Sequence, residues 1–220
     1  IRSRIYTLGM EEDHGTIFAQ GRDAGVPHNS GTLDMPMRLG QAIVFDIFLT
    51  ERDKSGGGSA GDKALVSATR RAGNVYHPGF ILPPGTPPSP LSPQVQKHAW
   101  KDVPIVRGAG LGQVAELIAP ASVTFPIPEI AGAARGIGVA NVLDSGDGIY
   151  RHLVPLIRYD QTVYPSIALA VAADVLKASP RRMRVTPGKG VDLGQGRRIP
   201  LDMYGRMMIN FVGNPGKAYP

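Results

Sequence analysis

Cysteine is absent from the chain. That excludes a disulfide framework and a thiolate metal site, but it leaves the compartment open, since extracytoplasmic domains without cysteine also occur. No uninterrupted apolar run of about 18 residues exists, so nothing in the sequence reads as a membrane span. The five histidines (His14, His28, His77, His98, His152) include no pair at helical metal-ligand spacing. There is no Gly-x-Ser-x-Gly elbow either, so the sequence specifies neither a metal site nor a catalytic nucleophile. Charged residues are sparse at 19%, and Trp100 is the only tryptophan. The opening Ile1-Arg2-Ser3-Arg4 has no Met and no apolar stretch behind it, which reads as an excised or mature piece and not as a signal peptide.

What is present suits one domain, or a large domain with insertions. Hydrophobic residues make up 42% of 220, enough for a core. Gly and Pro together account for 48 residues, about 22%, which argues for many turns and long connections. The glycines have no three-residue period, so collagen is excluded. The net charge of +6 is local. Residues 177–206 hold eight basic side chains (Lys177, Arg181, Arg182, Arg184, Lys189, Arg197, Arg198, Arg206) against Asp192 and Asp202. Such a face attracts nucleic acid, phosphate or acidic lipid headgroups, or is simply solvated. With no aromatic side chain interleaved before Tyr204, nucleic acid is not expected, and an anionic membrane surface is the charged partner retained.

Along the chain, residues 1–42 show no sustained period. Ala42–Leu49 is a continuous apolar run with one carboxylate inside it, as expected of a strand buried on both faces. Ser55–Gly61 is a Gly/Ser-rich loop, and Asp62 is placed to cap a helix over Lys63–Ala72, closed by Gly73-Asn74. Val75-Tyr76-His77 opens the next strand, which gives the order of a parallel βαβ unit. Residues 83–93 are proline-rich and read as an exposed polyproline-type connection, neither helix nor central strand. Helices are expected over Gly112–Ala119, Pro126–Ala134 and Ser166–Lys177, the last burying most of its circumference. Strands are expected at Gly138–Val142, as a hairpin around Asp160-Gln161, and as several short pieces from Arg184 to Val212. The fold class expected is α/β, with a mixed, largely parallel central sheet, flanking helices and Pro/Gly-rich insertions.

Three glycine-rich stretches fall short of a ligand motif. Gly56–Lys63 lacks the Gly-Lys-Ser/Thr of a phosphate loop, because Asp62 interrupts it with a carboxylate that repels phosphate. Gly108–Gly112 and Gly136–Asn141 do not complete the dinucleotide fingerprint and read as turns. No NAD, ATP or other cofactor is expected. Asp144-Ser145-Gly146-Asp147-Gly148 fails as a calcium loop, since Leu143 and Val154 would fall where carboxylates are required. It reads as an Asp-rich turn, with Asp144 and Gly148 as its structural members. Asp46 is the most informative single residue. A carboxylate inside Ile43–Leu49 is costly to bury unless paired, with Arg151 or His77 as its partner. The alternative is a ligand-contacting acid at the C-terminal edge of a central strand.

The order of these segments resembles the CHASE2 domain. Val44-Phe45-Asp46-Ile47-Phe48 with Glu51 is similar to the family's apolar strand with its embedded Asp. Asp62–Ala68 resembles its Asp-led helix. Gly138-Val139-Ala140-Asn141-Val142, Asp144, then Asp147-Gly148-Ile149-Tyr150-Arg151 resembles its Gly-x-x-Asn, Asp-x-x-Gly, Arg run. Tyr164–Ala170 and Ile199–Gly213 are similar to its Pro-Ser helix start and its closing hairpin. The likeness covers residues 42–213 of a single 1–220 domain, and residues 1–41 fit the family's opening poorly.

The resemblance implies an extracytoplasmic sensor, periplasmic or extracellular, in a bacterial membrane receptor with a cyclase or kinase output. It implies no catalytic residues and no metal. Asp46, Asn141, Asp147 and Arg151 are the ligand-binding candidates it suggests, for a small-molecule or protein signal, in a receptor able to form a homodimer. Two other readings stay open: a stand-alone α/β enzyme acting on an acidic or phosphorylated small molecule, and a dimerisation scaffold with no ligand.

Overall fold

The computed structural model describes residues 18–20, 43–45, 49–53, 60–88, 90–106, 117–144 and 150–210. The chain divides into two compact units, one of residues 1–48, 53–61 and 211–220, the other of 49–52 and 62–210. In the first, β1 (Phe18–Gln20) pairs antiparallel with β2 (Ile43–Phe45), Phe18 opposite Phe45. Asp46–Phe48, the remainder of the expected apolar strand, lie outside the described residues.

Helix α1 (Ala60–Ala72) starts earlier than the sequence predicts. The Gly61 N–H donates to Asp53 Oδ2 at 3.2 Å, so a carboxylate from upstream caps the first turn and Asp62 sits inside it. The C-terminus is as expected. Gly73 takes φ +69 and its N–H donates to the Thr69 carbonyl, a left-handed stop that glycine adopts without strain.

In the second unit, β3 (Tyr76–Ile81) pairs parallel with β5 (Gly136–Val139) and antiparallel with β4 (Val123–Thr124). β4 meets only Phe80 and Ile81, beyond Pro78, so the strand tolerates a residue with no N–H to donate. Between β3 and β5 lie α2 (Pro93–Gln96), capped by Ser92 Oγ, and α3 (Pro128–Ala133). Each opens with proline at its first helical position, where a missing N–H costs nothing. Pro93 thus begins a helix at the end of the segment expected to hold none. Leu117–Ala119 are extended, not helical, and Ile118 bridges Ile157.

The expected largely parallel central sheet is not what forms. β3–β5 is the one parallel pair among the described strands, and the other sheets are small and antiparallel. These are β6 (Val142–Asp144) and β7 (Tyr150–Leu153) with β13 (Met207–Met208), the hairpin of β8 (Leu156–Tyr159) and β9 (Thr162–Pro165), and β10 (Arg184–Thr186), β11 (Gly190–Gly194) and β12 (Arg197–Pro200). For the pairs joined by hairpins the cause is loop length, while β7–β13 and β3–β4 pair antiparallel across long connections. Connections of two to five residues can only return the chain alongside itself, whereas a parallel step needs a long crossover. The parallel neighbour of β3 is β5, reached through α3.

β8–β9 separates two cores. Ile157, Tyr159 and Tyr164 point into one, with Phe125, Ile137 and Val139. Leu156 and Val163 point into the other, with Leu169, Val185, Val191 and Leu201. The period of two along each strand makes the hairpin a wall with apolar residues on both sides. Helix α4 (Ile167–Val175), capped by Ser166 Oγ on the Leu169 N–H, buries only Leu169, Ala170 and Ala173, while Val171 and Val175 face outward. The burial expected around most of its circumference is confined to one side.

Candidate functional site

Gly136 and Gly138 position the site. Both belong to β5, which starts two residues before the strand expected at Gly138. A Cβ on Gly136 would lie 2.8 Å from the Tyr76 ring, and one on Gly138 only 2.5 Å from the backbone of Ile167. Glycine inside a strand marks close approach by a neighbour. Here the neighbours are an aromatic ring and the start of α4. The result is a cleft of ≈ 440 Å³ at the N-terminal end of the β3–β5 pair, walled on one side by α4.

Its floor is apolar, made by Ala170 and Ala173 of α4, with Trp100 as a wall. The Trp100 N–H donates to the Val163 carbonyl at 2.7 Å, and the indole also packs against the second core. Its rim is charged: Lys97, Arg135 and Lys177 against the single carboxylate of Asp174. Arg135 grips Asp174 with two parallel bonds, Nε to Oδ2 at 2.9 Å and Nη2 to Oδ1 at 2.7 Å. The Tyr76 hydroxyl donates to the same Oδ2. These hydrogen bonds, from Arg135 first and Tyr76 second, hold the Asp174 carboxyl below its usual range. Burial, then the neighbouring carboxylate, pushes the Tyr76 phenol up. The Arg135–Asp174 pair is half-exposed, so it orients groups more than it stabilises the fold.

Lys97 Nζ donates to the Gly132 carbonyl at 2.8 Å and His98 Nε2 to the Ala131 carbonyl at 2.9 Å, which fixes this edge to α3. Burial draws the His98 imidazole below its ordinary value, which favours its neutral form. Lys177 takes φ +52 as the chain leaves α4. The arrangement offers a planar cationic fork, two ammonium groups and an apolar floor. Among the described residues no group of three or more His, Asp or Glu is placed to hold a metal ion.

The described residues singled out from sequence, Asn141, Asp144 and Arg151, do not line the cleft. Asn141 follows β5 at the far end of the parallel pair. Its carboxamide accepts from the Ile81 N–H at 2.5 Å and donates to the Ile81 carbonyl at 3.1 Å, so it stands in for a strand neighbour. Arg151 is half-buried on β7, and its carbonyl accepts from the Ile209 N–H. Asp144 ends β6 opposite Tyr150 of β7, and the rest of the Asp-rich turn expected between them lies outside the described residues. Asp46, Asp147 and Gly148 fall outside the described residues. His77, weighed as a partner for Asp46, is buried and shares a 3.3 Å hydrogen bond with Thr69 Oγ1. Burial lowers its pKa to about 4.

The cleft residues escaped the sequence reading because Tyr76 and Arg135 reach Asp174 from 98 and 39 residues away. One signal was available: two glycines spaced to share one face of a strand.

The basic window of residues 177–206 also carries part of the core. Met183, Val185, Val191 and Leu201 are buried within it. Arg184, Asp192 and Arg198 lie in register across the outer face of β10–β12, all exposed.

No curated protein and no solved structure matches the chain. A family model described as the CHASE2 domain matches residues 39–220. The chain therefore belongs to the CHASE2 family of extracytoplasmic sensor modules, domains of membrane receptors that sense and do not catalyse.

Proposed function

We propose that this domain receives a signal outside the cytoplasm for a bacterial membrane receptor and passes it to a cyclase or kinase output. Family membership over residues 39–220 carries the reading. Membrane crossing would fall to other segments of the parent protein. A small-molecule or protein signal would bind one of two domain conformations more tightly and so shift their balance. Reporter fusions and output assays on the full-length protein test this. Periplasmic or extracellular placement of the domain with signal-dependent output is expected, and a cytoplasmic domain would overturn it.

Asp46, Asn141, Asp147 and Arg151 are proposed to contact the signal; of these, Asn141 lies at the end of the β3–β5 pair away from the cleft. Asp46 separates two roles. Asp46→Asn should spare folding and abolish the response if the acid contacts a ligand. If the acid is a structural partner, the same change should lower the melting temperature and leave signalling normal.

The scaffold reading draws on Val171 and Val175, 37% and 75% exposed one helical turn apart. A monomer by sedimentation at high concentration would count against it.

A further inference from the structure

We propose that the cleft between α4 and the β3–β5 pair binds a small organic carboxylate with an apolar or aromatic body. The carboxylate exchanges with Asp174 on the Arg135 fork, and the body lies against Trp100 and the floor of Ala170 and Ala173. This deepens the sensor reading and rests on it.

The chemistry follows from what is already bound there. The Arg135 guanidinium holds a carboxylate through two parallel bonds, so its fork is turned and spaced for that planar group. Three cations against one carboxylate leave an excess of positive charge, which an incoming anion relieves. A free phosphate would use the charge and waste the floor, whereas an apolar body of benzoate size fills it. The volume of ≈ 440 Å³ lies within the range of small-molecule pockets.

Exchange also has a consequence for the fold. Asp174 is the point at which Tyr76 of β3 and Arg135, next to β5, both grip α4. A ligand carboxylate that takes its place on Arg135 releases the last turn of α4 from the sheet. Occupancy is thereby converted into a displacement of one helix, which is what a sensor needs.

The test uses calorimetry on the 220-residue chain at low salt with benzoate, phenylacetate and hexanoate, and with benzamide and inorganic phosphate as controls. A saturable Kd on the order of 1 mM or tighter is expected for at least one carboxylate, as suits so small a ligand. Arg135→Ala should weaken it at least about 10-fold. Asp174→Asn should tighten it about 3-fold or more, because the neutral amide competes less well for Arg135. That gain is the distinguishing result, since a purely structural pair predicts only loss. It also keeps the test valid if Arg135→Ala fails to fold. No saturable carboxylate binding up to about 10 mM, equal binding of benzamide or phosphate, or no gain in Asp174→Asn would overturn the proposal. None of these results bears on where the domain lies or what output it drives, so the receptor reading stands or falls separately.

Discussion

The core beside the parallel pair is aromatic and braced by polar contacts, whereas the core beneath β10–β12 is aliphatic under a cationic outer face. In the first, Phe125 stacks at 5.0 Å from Tyr164, His77 leans on Thr69, and Asn141 clamps Ile81. In the second, Val185 and Val191 are wholly buried, and hairpins with tight turns do the organising. The first depends on partners brought from far along the chain and has little slack. The second also gathers distant segments, from Val103 to Leu201, but its β10–β12 hairpins are local and tolerate change on their outside.

The largest contrast should come from glycine. Gly138→Val forces a side chain into the backbone of Ile167 and should cost about 3 kcal/mol or more. Gly194→Ala, at φ +82 with open space around it, should cost about 1–2 kcal/mol. Urea denaturation of both variants measures the difference, and equal losses would erase the distinction between the regions.

Acid should divide the cores next. Among the described residues the buried polar set contains one titratable side chain, His77. Its folded pKa of about 4 lies below the ordinary 6.5, so the unfolded chain takes up its proton first. Stability is full above about pH 6.5 and declines as pH falls toward 4. The loss amounts to at most about 3 kcal/mol and levels off below that. Hydrogen exchange at pH 7 and pH 4.5 should show β3 loosening before β11. His77→Gln should flatten the step. A uniform loss across both cores would assign the acid response to other groups.

Asn141→Ala removes both bonds to Ile81 and should cost about 1–3 kcal/mol, read as a shift in denaturation midpoint. The smallest effect belongs to the cationic face. Arg184→Gln with Arg198→Gln, which sets no like charge opposite Asp192, should change stability by no more than about 0.5 kcal/mol, since both side chains are exposed. It should nevertheless abolish retention on vesicles containing phosphatidylglycerol at low salt, if this face meets an anionic membrane. Equal retention of the unmodified chain on neutral vesicles would remove the electrostatic explanation.

What could be read from the sequence follows the same division. Asp160-Gln161 between two apolar runs announced a hairpin, and both residues take positive φ, 46 and 60. Ser166 and Gly73 announced a helix start and a helix stop, since each acts within three or four residues of itself. The β3–β5 pairing gave no such sign. Strands could be expected at Val75–His77 and from Gly138, but nothing local says that they pair, and Pro78-Gly79 and the glycines of β5 lean on the packing of Phe125 and α4. The cleft was hidden for the same reason, because its Arg–Asp–Tyr grip joins three distant segments. The family resemblance was legible because it depends on the order of short motifs, which survives even where their pairing cannot be foreseen.

The β8–β9 hairpin, finally, is a party wall. Val163 and Tyr164 are neighbours in sequence but furnish different rooms. One residue inserted before Val163 would turn every later side chain of β9 to the other side, setting a tyrosine among aliphatics and a valine among aromatics. Both interiors would fail together. Length variation in relatives of this chain should therefore gather in the connections and spare residues 156–165, and no cut through the hairpin can yield two halves that fold alone.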